Sequence, residues 1–240
     1  MSLPWQYRLV FKAFLGALPL YIYSGWRITQ ALEHLNVPLA EHASLLLGLV
    51  YLFLNLLPIA ILFTLLRGKL TSFYLLQPYP SKKDAFLTYP FWIGVLIQIE
   101  FTPYAIILDL LQGKNPFNLA IFLQMPLKYH HEIQLLLFAV ISCYVLVRVW
   151  KDTNLIHKKH YHLHIPGLPP EFDNFKLFFF SDIQIDRYTG KRRFESMQRI
   201  FKNVRAPLVL FGGDLITDGE FHVDKAHQVV NQIPQAPLRI

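Results

Sequence analysis

Long apolar runs occupy the first 150 residues of this 240-residue chain and constrain its fold more than any other feature. Of the Asp, Glu, Lys and Arg side chains, about 16 fall in residues 1–150 and about 23 in the last 90 residues. Hydrophobic residues make up 53% of the chain, which is above the share of an ordinary soluble domain. We therefore expect an integral membrane protein that contacts the lipid bilayer.

Four spans are predicted, and together they form an N-terminal four-helix transmembrane region over residues 1–150. About twenty apolar residues in a helix cross the hydrocarbon core of a bilayer. Buried helices of a soluble protein are the alternative, but four such runs carry too few charges for it. The spans cover about Leu9–Tyr23, Leu45–Leu66, Phe86–Leu111 and Ile133–Trp150.

Basic residues flank the spans unequally, and this asymmetry predicts the orientation. With four spans, the N-terminus, the middle loop and everything after Trp150 share one side of the membrane. Loops rich in Lys and Arg stay in the cytoplasm, so we expect the N-terminus and the C-terminal domain to be cytoplasmic. That side carries Arg8, Lys12, Arg67, Lys69, Lys82, Lys83, Lys151, Lys158 and Lys159, whereas the opposite loops carry Arg27, Lys114 and Lys128.

Two carboxylates, Glu100 and Asp109, lie within the third predicted span. An ionisable residue at membrane depth is a functional candidate by default. Nine residues of helix place the two on roughly opposite faces, which argues against a paired site. We expect Asp109 at the membrane interface and Glu100 near the kink of Pro103; a carboxylate held by a neighbouring helix is the alternative to a transport site.

Residues 151–174 differ in composition and are predicted to be a linker. They are polar, rich in histidine and interrupted by Pro and Gly. His160, His162 and His164 alternate, so on a strand they would share one face. A metal cluster and a basic, membrane-proximal edge strand are the two interpretations, and the lack of a nearby carboxylate or cysteine partner favours the strand.

Residues 175–240 are predicted to begin an α/β domain with a parallel or mixed sheet. The pattern reads as strand, helix, strand, helix, strand, which is typical of helical crossovers. The strand Phe175–Phe180 is an apolar run apart from Lys176, as expected of burial on both faces. The other elements are the helix Gly190–Asn203, the strand Pro207–Phe211, the helix Glu220–Ile233 and the strand Pro237–Ile240.

Acidic residues follow the first two of these strands directly. Asp182 comes after the first strand, and Asp214 comes after the second and the turn-forming pair Gly212-Gly213. Ligands in such sheets bind outside the carboxyl ends of the strands, so the two carboxylates are expected at one edge. The alternative is that they only cap the following turns or helices.

The two motifs resemble those of the calcineurin-like metallophosphoesterases. In that family one strand ends in Asp-x-His, and the next leads into Gly-Asp-x-x-Asp or Gly-Asp-x-x-Asn. Asp182 matches the first motif, with Gln184 in the histidine position. Asp214 matches the second, with Thr217 at the acidic position and Asp218 one place beyond it. Spans that precede the domain also resemble membrane-anchored members of the family.

The resemblance implies a site for two divalent metal ions that clamp a phosphoryl group. Asp182 would bind the first ion and Asp214 would bridge both. Gln184 would replace an imidazole by an amide oxygen, which suits Mg²⁺ or Mn²⁺ better than Zn²⁺. Asp186 and Asp218 are further candidates near the two motifs.

The resemblance covers about Lys176–Ile240, and the sequence ends before the family's later motifs. Those motifs supply an asparagine and histidines to the metals, and a histidine that protonates the leaving group. His222 and His227 are expected on a helix surface instead. We therefore expect an incomplete catalytic domain, weak or inactive as an enzyme, and assign no catalytic residue.

Two function classes follow from these patterns. The first is a membrane-anchored, metal-dependent phosphoesterase acting on a phosphodiester or pyrophosphate at the cytosolic membrane face, with a lipid-linked or nucleotide phosphate as substrate. The alternative is a non-catalytic integral membrane protein with a remnant phosphoesterase domain; a small transporter using Glu100 is the weakest hypothesis. The net charge of +7 is no sign of nucleic-acid binding, because the basic residues mostly flank the spans.

Overall fold

The computed structural model describes residues 5–35, 42–68, 82–111, 129–217 and 220–233, and the backbone of 238–239. The chain divides into two compact units, and the boundary lies between Val149 and Trp150. The first unit is helical, and the second combines a small sheet with two helices. Lys69, Lys114 and Lys128 of the predicted loops lie outside the described residues.

The described part of the first unit contains five helices. In the described ranges, three helical segments are long and apolar enough to cross a membrane, and a bent pair adds a fourth pass if it is counted as one span. The segments are Trp5–His34, Asp84–Leu111 and His130–Asn154. The helices are α1 (Trp5–His34), α2 (Ala43–Leu54), α3 (Leu56–Leu66), α4 (Tyr89–Leu111, after a π-helical turn at Asp84–Thr88) and α5 (His130–Asn154).

The second predicted span is broken. Helices α2 and α3 meet at Asn55 with a bend of 59°. Pro58 lies three residues into the break, and a proline ring clashes with the carbonyl four residues earlier, here that of Leu54. The Tyr51 carbonyl oxygen accepts from both the Asn55 side chain at 2.8 Å and the Asn55 amide at 3.1 Å, and these two bonds close the last turn of α2.

Helix α1 is twice as long as predicted. It continues past Tyr23 to His34, and Pro19 lies inside it. The predicted end was wrong because Ser24 and Arg27, which look like the end of an apolar run, are buried among other helices. The Ser24 hydroxyl and both terminal nitrogens of Arg27 have polar partners there, so α1 can continue through these residues.

Two apolar clusters hold the ends of the helical unit. One joins the first half of α1 with α3 and the first half of α4: Tyr7, Val10, Ala17, Tyr21, Leu57, Ile61, Phe91 and Val95. The other joins the second halves of α1 and α4 with α5: Ile28, Phe101, Ala105, Ile141 and Val145, with Leu47 of α2 beside them. Helices α1 and α4 therefore run in the same direction, and α2 and α3 together extend from one cluster to the other.

The second unit contains three parallel strands in the order β1-β2-β3. They are β1 (Leu177–Phe180), β2 (Leu208–Phe211) and β3 (Leu238–Arg239), joined by α6 (Lys191–Lys202) and α7 (Val223–Val230). Strands that follow one another in a parallel sheet and are joined by right-handed crossovers have both helices on the same face. The core accordingly lies on one face: Ile183, Ile185, Met197, Phe201, Val204, Val209, Ala226, Val229 and Ile233.

The opposite face of the sheet is uncovered in the described residues, so burial on both faces was a wrong prediction for β1. Phe178 and Phe180 pack on the core, but Leu177 is 49% and Phe179 is 59% exposed. The continuous apolar run is explained by the parallel pairing, and the exposure by the position of both crossover helices. The sheet has one packed face.

Three further expectations differ from the structure. The predicted helix Glu220–Ile233 begins with a 3₁₀ turn and ends at Val230. His222, expected on the surface, is 4% exposed, while Phe221 is exposed. The histidines after α5 do not form an edge strand, because residues 155–165 have no strand pairing. The predicted helix Gly190–Asn203 is confirmed by α6.

The asymmetry of the sheet predicts unequal mutational costs. Phe201→Ala should destabilise the second unit by about 3–5 kcal/mol, since a buried aromatic side chain leaves a cavity. Phe179→Ala should cost less than about 1 kcal/mol, because Phe179 is largely exposed. Hydrogen exchange of the β1 and β2 amides in the full chain, in detergent, measures both; equal losses of protection would contradict the one-sided core.

Candidate functional site

The two predicted acidic motifs lie side by side in the structure. Strands β1 and β2 pair in parallel up to Phe180 with Phe211, and an isolated bridge between Ile185 and Ile216 keeps the same register beyond them. Between these points the Asp182 amide donates to the Gly213 carbonyl oxygen at 3.1 Å. The two loops after the strands are therefore hydrogen-bonded to each other.

Gln184 and Asp214 are joined in the same way. The Gln184 amide donates to the Asp214 carbonyl oxygen at 2.9 Å, and the next amide, of Ile185, donates to Leu215 at 2.8 Å. The structure thus brings together the backbone of Asp182, Gln184 and Asp214, as the strand order predicts. We call these three residues the acidic edge.

All three residues of the acidic edge have left-handed backbone conformations. Their φ angles are 53° at Asp182, 49° at Gln184 and 56° at Asp214, and Gly213 has a φ of 97°. For a residue other than Gly this conformation costs about 1–2 kcal/mol, and only Asn and Asp visit it routinely. Gln184 is therefore the costly member. Such conformations cluster at functional sites.

Burial alternates along the first motif, so its polar side chains are exposed to solvent. Ile183 and Ile185 are buried in the core, whereas Asp182 and Gln184 are exposed. Asp214 in the second loop is exposed as well. The alternation of polar and apolar residues in Asp182–Ile185 is the signal in the sequence for this arrangement. The three side chains are accessible to a ligand from solvent.

Asp186 and Asp218 are the two further metal-ligand candidates of this region, and the structure describes the first of them. Asp186 builds a turn: its Oδ1 accepts from the Tyr188 amide at 2.8 Å and from the Thr189 hydroxyl at 3.1 Å. This turn leads into α6 and gives the carboxylate a local structural partner. Asp218 lies outside the described residues.

The donors of the acidic edge fit a hard divalent cation. Two carboxylates and one amide offer oxygen atoms, which Mg²⁺ and Mn²⁺ prefer. Within the described ranges, no group of three or more His, Cys, Asp and Glu side chains could hold a metal ion. A cation held by the acidic edge would therefore have water in most of its coordination positions.

A second polar site lies inside the helical unit and is centred on Asp109. Its carboxylate is fully buried and lies close to four polar side chains. Oδ2 lies 2.5 Å from Arg27 Nη2 and accepts from the Tyr23 hydroxyl. Oδ1 accepts from Gln134 Nε2 at 3.0 Å and lies 3.2 Å from His130 Nε2. We call these five residues the Asp109 cluster.

The Asp109 cluster joins three helices. Tyr23 and Arg27 come from α1, Asp109 comes from α4, and His130 and Gln134 come from α5. The Arg27 side chain is almost fully buried, its Nη1 donates to Gln30 at 2.9 Å, and its guanidinium lies 4.1 Å from the centre of the Trp26 ring. Charge, hydrogen bonds and an aromatic face therefore compensate the buried cation.

Two predictions about these residues are corrected, and the membrane depth of Asp109 stays a prediction. Arg27 lies inside α1 rather than in a loop. Asp109 lies two residues before the end of α4 and is held by neighbouring helices. Glu100 is exposed on α4, so the kinked interior does not hold it. The opposite faces predicted for the two carboxylates are confirmed. A signal was present in the sequence: Tyr23 with Arg27 and His130 with Gln134 are polar pairs four residues apart on apolar helices.

A third polar group lies beside the break between α2 and α3. The Ser24 hydroxyl lies 2.9 Å from the Tyr51 hydroxyl and donates to Gln98 Oε1 at 2.5 Å. Ser24 and Gln98 are buried, and the ring of Tyr51 packs edge-on against Tyr21. These contacts tie α1, α2 and α4 together without charge.

Comparison with known proteins gives no relative of this chain: no family model, no curated protein and no solved structure matches it. The motifs and the geometry of the two sites are therefore the grounds on which a function is proposed.

The backbone of Gln184 predicts a specific response to substitution. Gln184→Val should destabilise the two loops by about 1–2 kcal/mol relative to Gln184→Gly, because a β-branched residue is poorly tolerated at positive φ. Hydrogen exchange of the amides of residues 182–185 in the full chain measures the difference. Thr217→Val, in the same loop pair at an ordinary φ, is the control; an equal effect there would contradict the assigned conformation.

Removal of the buried carboxylate should destabilise the helical unit. Asp109→Ala leaves the Arg27 charge buried and unpaired, which costs about 3–5 kcal/mol. Glu100→Ala, on the exposed face of the same helix, should stay within about 0.5 kcal/mol. Unfolding of the full chain in mixed micelles of increasing SDS content, followed by circular dichroism, gives both values.

The double variant Arg27→Met with Asp109→Leu tests the cause of that loss. Replacing both members of a buried ion pair by apolar residues of similar size is often neutral. We expect it to recover most of the stability lost in Asp109→Ala. A double variant as unstable as Asp109→Ala would show that the carboxylate acts through its other partners.

Proposed function

We propose that this protein is a membrane-anchored, metal-dependent phosphoesterase whose reaction takes place at the acidic edge. The observation that carries the proposal is the in-register pairing of the two loops, which places Asp182 beside Gly213 and Gln184 beside Asp214. Capping of a helix explains the carboxylates less well, because α6 begins at Lys191 with Gly190 as its cap and no side-chain bond. The left-handed backbone at all three residues supports a specific role.

Each residue of the acidic edge has a distinct part in this proposal. Asp182 and Asp214 hold the cation or cations through their carboxylates, and Gln184 adds an amide oxygen. When bound, Mg²⁺ or Mn²⁺ supplies Lewis-acid stabilisation of the charge that develops on a phosphoryl group. The ladder between the two loops fixes the separation of the two acidic residues, so that they do not have to be ordered when the ligand binds.

The arrangement of the helices supports an anchor with both ends on one side. Counting α2 and α3 as one pass gives four passes, consistent with α1 and α4 running in one direction and the α2–α3 pair extending between the two apolar clusters. The basic residues that flank these passes then favour a cytoplasmic second unit. The proposed substrate is a phosphodiester or pyrophosphate at that membrane face, either lipid-linked or a nucleotide phosphate.

A second candidate is a non-catalytic membrane protein with a remnant phosphoesterase domain. The observation that favours it is the small donor set: within the described part of the chain, no group of three His, Cys, Asp or Glu side chains could hold a metal ion. In this case the stable feature is the helical unit with its Asp109 cluster. Metal binding and hydrolysis decide between the two candidates.

Hydrolysis of bis-p-nitrophenyl phosphate tests the proposal directly. The full chain in detergent should hydrolyse it only with added Mn²⁺ or Mg²⁺, and Asp214→Asn should remove that activity. Asp224→Asn, on the exposed surface of α7, should leave the rate unchanged. No metal-dependent hydrolysis by the unmutated chain would count in favour of the non-catalytic candidate.

Metal binding gives a readout that does not depend on turnover. Mn²⁺ bound by the chain loses its free-ion electron paramagnetic resonance signal, so a titration counts the sites. Asp182→Asn and Asp214→Asn should each weaken Mn²⁺ binding about tenfold or more, since each removes a charged ligand. Binding that is equally strong in Asp224→Asn and in both of these variants would contradict a site at the acidic edge.

A further inference from the structure

The segment that follows α5 is fully exposed and has an unusual composition. Residues 157–168, which we call the juxtamembrane segment, form no strand, and every side chain in it is exposed. Four apolar side chains in it are exposed, and the first two are among the most exposed apolar side chains of the described residues: Leu163 at 84%, Tyr161 at 76%, Ile165 at 56% and Leu168 at 46%. Apolar side chains grouped in this way indicate a surface that contacts another apolar phase.

The apolar and polar residues of this segment alternate. Tyr161, Leu163 and Ile165 occupy the odd positions, and His160, His162 and His164 occupy the even ones. In an extended chain, alternate side chains point to opposite sides. The segment can therefore present one apolar side and one polar side without any change of backbone, and it forms no hydrogen-bond ladder that such a contact would break.

The charge of this region is strongly positive. Arg148, Lys151, Lys158 and Lys159 are all exposed and lie within twelve residues of sequence, with Asp152 as the one acidic residue among them. A cluster of four or more Lys and Arg residues next to a membrane-spanning helix is typical of binding to anionic lipid headgroups. Each basic residue near such a surface adds about 1 kcal/mol of attraction.

The position of the juxtamembrane segment directly after α5 indicates that its partner is a lipid surface. It begins three residues after the end of α5, a helix long and apolar enough to span a membrane. Each residue adds at most about 3.6 Å of reach, so Lys158 and Lys159 lie within about 20 Å of the helix end, which allows the start of the segment to contact the lipid surface from which that helix emerges. Trp150 is half exposed near the helix end, as expected of an interfacial aromatic residue.

We propose that the juxtamembrane segment lies on the bilayer, with Tyr161, Leu163 and Ile165 inserted among anionic lipids and Lys158 and Lys159 bound to their headgroups. The histidines then face water. This contact would hold the start of the second unit against the membrane surface. The proposal depends on α5 spanning the membrane and is independent of any phosphoesterase activity.

Spin labels at neighbouring positions test this contact. In a Cys143→Ser background, which removes the chain's one cysteine, Leu163→Cys and His162→Cys are each labelled with a nitroxide. The full chain is reconstituted in phosphatidylcholine vesicles with or without phosphatidylserine. Collision with oxygen reports the acyl region, and collision with a water-soluble nickel chelate reports the aqueous phase.

We expect the ratio of oxygen to nickel accessibility to be higher at Leu163→Cys than at His162→Cys in vesicles that contain phosphatidylserine. Lys158→Gln with Lys159→Gln should remove that difference, because the attraction to the headgroups is lost. The two labels should respond alike in pure phosphatidylcholine. Equal water accessibility of both labels with phosphatidylserine present would overturn the proposal.

A difference between the labels that is the same in both lipids would also overturn it. That result would mean that a surface other than anionic lipid covers the apolar side, for example the exposed face of β1. Circular dichroism of each variant controls for folding, and both labelled positions are exposed, so neither substitution removes a buried contact.

Discussion

The helical unit depends on one interaction above all, the buried ion pair between Asp109 and Arg27. The Asp109 carboxylate accepts from α1 and α5 at once, and no other described carboxylate in the unit is paired with a buried arginine. A charge in an apolar medium is tolerated only when opposite charge and hydrogen bonds compensate it. The positions of Tyr23, Arg27 and Gln134 supply that compensation, and they also fix which ends of the three helices meet. The same contacts to Asp109 therefore stabilise the helical unit and fix the arrangement of its three helices.

In the second unit the corresponding constraint is the parallel pairing of β1 and β2 beyond their ends. Hydrogen bonds from Asp182 and Gln184 to the facing loop hold the acidic edge in register while its residues adopt left-handed conformations. The buried Ile183 and Ile185 anchor the same loop from the core. The backbone of the acidic edge is therefore held by contacts within the chain itself, and the function that we propose for it rests on this order.

Two parts of the second unit leave apolar surface exposed, for different reasons. One face of strand β1 is exposed because both crossover helices pack on the opposite face of the sheet. The juxtamembrane segment is exposed because its backbone pairs with no strand. Its apolar side chains are not covered by any of the described residues. Position in the chain separates the two cases, because the segment, unlike β1, begins three residues after a helix that is long and apolar enough to span a membrane. Lipid is therefore the partner that we propose for the segment.

The amino-acid sequence by itself determined the apolar spans, the helix α6, the three strands and the position of Asp182 and Asp214 after two of them. These follow from local composition and period, which depend on neighbouring residues only. The tertiary structure alone decided the length of α1, the break at Asn55, the uncovered face of β1 and the burial of Asp109 with Arg27. Each of these depends on a partner distant in sequence: a polar side chain ends a span or continues it according to whether another helix brings a donor or an acceptor to it.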